Sequence, residues 1–414
     1  MSTKEDSLEI KSRSKGYMIF IIIFMGLVGI MDTYLATIEG VAFYYVMEEF
    51  NLLPAELALW QAIYGTLAFS VFLLGWFSDT YGRKKGMLAL LLVMGIPALL
   101  IGMLHYLFLS FHLFMILYGI IMTGTVSNMW EIPISEESPP KKRGMYGGIV
   151  TLLSIIPISM FFGVAIAENF GWQWTFGVMF FYMLGLLIFL FFMKEPQRWL
   201  DTKEKRTHKI FNLKTALKSF TRKDIKYLLL ASLTYGIWGI CFKLTMTWIM
   251  HYYVNVIGYS PDEFYRISII SGIFLLLGAI SALILLDKIG RKRTCFIGSI
   301  GSVIGFIGLG ITTLPIFIWM ICYCMTLTYA FIMVYFAEIF RNEIRSTAVG
   351  VIATLQRISY VVGPLIAFVL FLAFPTMEMF WIIAGLLMIT PMFFLLAKPV
   401  ETKGQTLENI QEIR

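Results

Sequence analysis

The chain has 414 residues, of which 58% are hydrophobic, 16% aromatic and only 14% charged. That balance excludes a string of water-facing domains, because too few polar groups are present to cover them. The formal net charge of +7 would suit a nucleic-acid partner, but apart from Lys243, Arg266 and Arg357 the 33 Lys and Arg residues fall in the N-terminal tail, in every second loop, in a central segment and in the C-terminal tail. That is the pattern of a membrane protein whose basic loops stay in the cytoplasm.

A spanning helix needs about 20 mostly apolar residues, and about a dozen such stretches follow one another here. The first is predicted over 17–47 and carries Asp32 and Glu39. Seven residues is nearly two turns, so both acids share a face about 10 Å apart, Asp32 beyond mid-membrane and Glu39 near the outer surface. Helices are predicted next over 56–77, 86–104, 113–134, 145–166 and 175–193, which closes a first half over 1–193. Residues 194–226 hold eleven basic residues and read as a cytoplasmic amphipathic linker. Six more helices are predicted over 227–252, 264–286, 294–313, 317–337, 347–372 and 379–397, followed by a short tail at 398–414. The fold class is therefore all-α, with twelve membrane helices in two halves and both termini cytoplasmic.

Internal repetition supports the halves. Asp79, Gly82, Arg83 and Lys84 return 208 residues later as Asp287, Gly290, Arg291 and Lys292. Glu136 and Arg143 return 202 residues later as Glu338 and Arg345, and Pro196 returns as Pro399. Six helices per repeat is an even number, so the repeats run parallel.

These motifs, with SEESPPKKRG from Ser135, EPQRWL from Glu195, AEIFRNEIRSTAVG from Ala337 and PVETKGQTLENI from Pro399, resemble those of the major facilitator superfamily over nearly the whole chain. The sugar-porter branch and related organic-ion and metabolite transporters are the nearest in pattern. The resemblance implies alternating access by rocking halves. It also implies a cytoplasmic gate of Asp79, Gly82, Arg83, Glu136 and Arg143 with Asp287, Arg291, Glu338 and Arg345, formed when the protein opens outward and broken when it opens inward.

Ionisable groups inside a span are functional candidates because an unpaired charge there costs several kcal/mol. Asp32, with Glu39 two turns on, is the candidate proton carrier, at the place where proton-coupled relatives keep a titrating acid. Those relatives pair it with an arginine on helix four, which is missing here, and Lys243 lies at matching depth in the second half. Lys243 and Arg357 are candidate anion-binding groups, Arg357 having as its alternative a structural pair with Asp32 or a helix carbonyl. Glu131 is expected to join the Glu136 and Arg143 cluster. Gln61, Gln356, Tyr34, Tyr64, Tyr235, Trp238, Trp248 and Tyr360 are candidate cavity-lining residues.

Sugar-porter relatives place glutamines on helices five and seven, and this chain has neither. The expectation is therefore proton-coupled symport of a small organic anion, with a proton-coupled sugar symporter as the alternative, and an antiporter or a nutrient receptor behind these. No nucleophile with its base, metal-ligand cluster or nucleotide loop marks an enzyme, and no cofactor is expected. The four cysteines lie in or beside apolar runs, which predicts no disulfide. The expected partners are substrate, protons and lipid, for a monomer in the plasma membrane.

Overall fold

The computed structural model describes residues 13–104, 110–125, 127, 129–138, 143–196, 199–200, 220–340, 345–374, 376–396 and 401–403. Most of the predicted linker, at 201–219, and of the tail, at 404–414, lies outside the described residues.

Eleven described helices are long and apolar enough to cross a membrane, and one shorter apolar helix completes the order. The first half comprises α1 (Lys15–Glu49), α2 (Pro54–Tyr81), α3 (Arg83–Leu104), α4 (Phe111–Thr125), α5 (Met145–Phe170) and α6 (Gln173–Phe192). The second comprises α7 (Arg222–Val256), α8 (Pro261–Lys288), α9 (Arg291–Thr312), α10 (Pro315–Phe336), α11 (Ala348–Ala373) and α12 (Glu378–Leu395). No strand occurs among the described residues. In lipid this follows from the backbone, whose polar groups must be satisfied within each segment.

Local chemistry sets the ends. Pro54, Pro261 and Pro315 sit in the first turns of their helices, where a missing N–H costs nothing. Thr221 with Asp224 and Ser260 with Glu263 form reciprocal caps. Exposed Phe72, Trp76, Ile188, Phe191 and Leu229 line the outside of the bundle, as a lipid-facing surface requires.

The repeat is visible in three dimensions at one end of the bundle, called here the basic end. The turn from α2 to α3 passes through Gly82 at φ +119° and the turn from α8 to α9 through Gly290 at φ +100°, a region that disfavours any residue with a Cβ. Glu195 accepts the backbone N–H groups of Arg83 at 2.7 Å and Lys84 at 3.2 Å. Glu401 does the same for Arg291 at 2.9 Å and Lys292 at 3.1 Å. A carboxylate thus caps the positive end of each helix.

Several spans are interrupted at mid-depth. Pro157 divides α5 after Ser154, and α11 pauses between Gln356 and Ser359. Ile155 and Arg357, in the two pauses, are 202 residues apart, the spacing of Glu136 and Glu338. α1 turns at Ile38 just before Glu39. The predicted continuous helix over 113–134 is instead α4 ending at Thr125, a turn, and a short helix at Glu131–Glu137. Such pauses free backbone groups and are tolerated where they line a cavity or pack on protein.

The halves meet mainly at the end opposite the basic loops. There the second segment of α1 packs on α7, the first segment of α2 on α11, and the second segment of α5 on α8. Tyr265 donates to the Phe161 carbonyl at 2.9 Å and Ser268 to the Met160 carbonyl at 3.1 Å across that seam. Glycines allow the close approach: a Cβ on Gly65 would lie 2.7 Å from the Tyr360 carbonyl oxygen, and one on Gly40 would collide with that of Met246.

Candidate functional site

A cavity of ≈ 150 Å³ lies between the halves. Asp32, Thr33 and Thr37 from α1, Thr125 from α4 and Pro157 and Ser159 from α5 form one wall. Tyr235, Trp238 and Lys243 from α7, Thr326 and Tyr329 from α10 and Gln356 and Tyr360 from α11 form the other. The pauses in α5 and α11 therefore sit at its edge.

Asp32 is almost fully buried, and its Oδ2 accepts the Trp130 indole N–H at 2.8 Å. Trp130 can reach it because α4 has already ended and the turn before Glu131 swings the indole toward α1. Asp32 Oδ1 is buried without a hydrogen-bond partner among the described residues. A carboxylate with one oxygen held and the other bare is suited to carrying a proton. Glu131 begins the short helix after that turn; it is exposed and is not among the residues lining the cavity. It shares that helix with Glu136, the residue the sequence grouped it with.

Lys243 lines the same cavity as Asp32 but makes its ion pair with Glu39. Its Nζ lies 2.5 Å from Glu39 Oε2 and sits 4.7 Å from the centre of the Tyr360 ring. Glu39 is fully buried, because the second segment of α1 packs directly on α7. Its two oxygens also accept Thr247 Oγ1 at 2.6 Å and the Tyr118 hydroxyl. Arg357 is half-buried in the α11 pause, and its guanidinium reaches the Ser127 carbonyl at 3.5 Å, a weak contact. It pairs with neither Asp32 nor a cavity-lining acid among the described residues.

The aromatic candidates divide. Trp238 stacks between Phe242, 5.1 Å away, and Tyr329, 4.7 Å away, with its N–H fixed on the Met325 carbonyl at 2.9 Å. This makes a flat wall beside the amide of Gln356, which donates to Ser359 at 3.2 Å. Tyr34 turns into the first half and donates to the Thr175 carbonyl at 2.7 Å. Tyr64 pairs with His112 at 3.2 Å away from the cavity, and Trp248 is buried against Phe371. Gln61 reaches the Tyr118 hydroxyl at 3.5 Å, so it touches the Glu39 network and not the cavity wall.

At the basic end Arg83 binds Glu136 at 2.7 Å and Asp79 at 2.6 Å, and Arg291 binds Glu338 at 3.1 Å and Asp287 at 2.8 Å. Each pair stays within one half. Among the described residues these bonds brace each half separately. The side chains of Arg143 and Arg345 lie outside the described residues.

Sequence reasoning overlooked Trp130, Tyr118, Thr247, Glu195 and Glu401. Glu195 directly precedes Pro196 and Glu401 sits two residues past Pro399, so the proline repeat pointed at them. Tyr118 and Thr247 carried no such signal, since neither type is unusual in a membrane helix.

A family model described as Major Facilitator Superfamily matches residues 17–337 and, separately, 284–411. The arabinose-proton symporter of Bacillus subtilis is 23% identical over 97% of this chain and 96% of its own length. The glucose transporter GlcP of Staphylococcus epidermidis is 25% identical over 81% of this chain and 83% of its own. An inward-open structure of the xylose transporter XylE from E. coli superposes with a TM-score of 0.73 at 20% identity, covering 96% of this chain and all of that one. With its helices and cavity so arranged, the chain belongs to the major facilitator superfamily of transporters, and not to an enzyme family.

Proposed function

We propose that the chain is a proton-coupled sugar symporter working by alternating access. The observation that carries this reading is the Lys243–Glu39 pair. It takes the fixed positive charge out of play, leaving a cavity of hydroxyls, one amide, an aromatic wall and one bare carboxylate oxygen. A neutral polyhydroxylated solute suits those groups, because each hydroxyl finds a partner and its apolar face finds a ring. Arabinose-proton and glucose transport, named for two relatives, agree with it.

The organic anion expected from the sequence has less support. Lys243 is already neutralised, and Arg357 is not among the residues lining the cavity. In the proposed cycle Asp32 carries the proton, Trp238, Tyr235, Tyr360 and Gln356 hold the sugar, and the basic end faces the cytoplasm of a cell whose plasma membrane holds the protein. The conformation described is then closed to the outside. A monomer suffices, since one chain forms the whole cavity. Counterflow in proteoliposomes, with unlabelled pentoses and hexoses competing against mono- and dicarboxylates, tests the substrate class. Competition by the sugars is expected, and competition by carboxylates alone would overturn the reading.

A further inference from the structure

We infer that Glu39 is a second proton-binding site, loaded and emptied by Lys243 as the seam between α1 and α7 opens and closes. The inference rests on the alternating-access reading above and adds a site to it.

Glu39 is held by groups from both halves. The Tyr118 hydroxyl on α4, itself touched by Gln61 on α2, moves with it in the first half. The Lys243 ammonium and the Thr247 hydroxyl on α7 come from the second half, with the Tyr360 ring of α11 beneath the ammonium. Glu168, the ionisable residue on the segment of α5 packed nearby, lies toward Tyr44 and Tyr45. The carboxylate's charge is therefore balanced by one cation, and that cation belongs to the other half.

Opening the seam removes the ammonium and one hydroxyl together. A carboxylate left with a single neutral donor in apolar surroundings is driven toward its protonated form, and entering water supplies the proton. Closing the seam brings Lys243 back, and the ammonium favours the ionised carboxylate. The Glu39 O–H bond then breaks, Lys243 keeps its three hydrogens, and the proton passes through water in the cavity. Lys243 lines that cavity, and so does Asp32, whose bare Oδ1 can form the new O–H bond. Asp32 lies seven residues earlier on α1, about 10 Å along the axis. The pair thus joins the outer seam to the carboxylate facing the cavity.

The test is labelling of a Val41→Cys variant by a membrane-impermeant maleimide from outside. Val41 lies in the seam, and the four native cysteines are buried, so the protein without this substitution gives the background. Because maleimide reacts with the thiolate, each rate is divided by that of an exposed Leu53→Cys variant at the same pH, and this ratio is expected to rise several-fold from mildly alkaline to mildly acidic external pH. Added Glu39→Gln should make it high and independent of pH. The double change Glu39→Gln with Lys243→Gln restores a neutral hydrogen-bonding pair, so it should close again, also without pH dependence, and it serves where the single variant misfolds. Parent labelling that ignores pH, or a pH response that survives in both variants, would overturn the inference. Asp32→Asn that still concentrates sugar would instead sink the symport reading and leave the Val41→Cys result standing.

Discussion

Substituting Gly65 by alanine should open the seam that the halves share. The added Cβ would lie 2.7 Å from the Tyr360 carbonyl oxygen on the opposite half. A relaxed C–H···O contact needs about 3.3 Å or more, so about 0.6 Å must be found. Both sides are backbone, and no rotamer change relieves the clash; the helices α2 and α11 have to part. Overpacking of this kind costs about 1–3 kcal/mol. Spread over a two-state equilibrium, that shifts the ratio of open to closed protein by roughly 5- to 150-fold. Spin labels at Leu53 and Leu372, both well exposed near the closed end, read the outcome as a distance distribution. The longer-distance population should grow in Gly65→Ala. It should stay unchanged in Gly75→Ala on the same helix, where nothing lies within 4 Å of the new Cβ. A folded Gly65→Ala protein with the parent distribution would refute the assignment of this contact as a closure of the seam.

Removing the ring in Trp238→Ala should raise the KM for sugar about 5- to 30-fold, from about 1–2 kcal/mol of lost stacking, while leaving the proton dependence of uptake in place; initial-rate uptake measures both. Glu195→Ala should lower stability by about 1 kcal/mol, because the N–H groups of Arg83 and Lys84 lose their acceptor. Glu401→Ala should add a similar loss, since the two caps lie in different halves and share no partner, and denaturation of the double variant in detergent checks the sum.

The fold was readable from the chain because lipid allows so few solutions. Apolar runs of spanning length, basic loops and the repeated Asp79 and Asp287 turns set the helix order and the halves. The pauses were less readable. Pro157 marked the one in α5, but nothing local announced the break after α4 that lets Trp130 reach Asp32 across the bundle. Partner choice was the least readable part. Depth along the helices put Lys243 near Asp32, yet depth says nothing about azimuth, and it is Glu39, on the segment of α1 that packs on α7, that meets Lys243. The same geometry redirects the substrate argument, since a lysine counted as free is neutralised by an acid two turns from its expected partner.

The central claim is that a proton gradient drives sugar through this cavity by way of Asp32. In proteoliposomes with an inward proton gradient, the parent should concentrate a pentose or hexose, and a protonophore should abolish the accumulation. Asp32→Asn should exchange labelled for unlabelled sugar without concentrating it. Accumulation by Asp32→Asn at the parent's level, or by the parent without any gradient, would contradict the account.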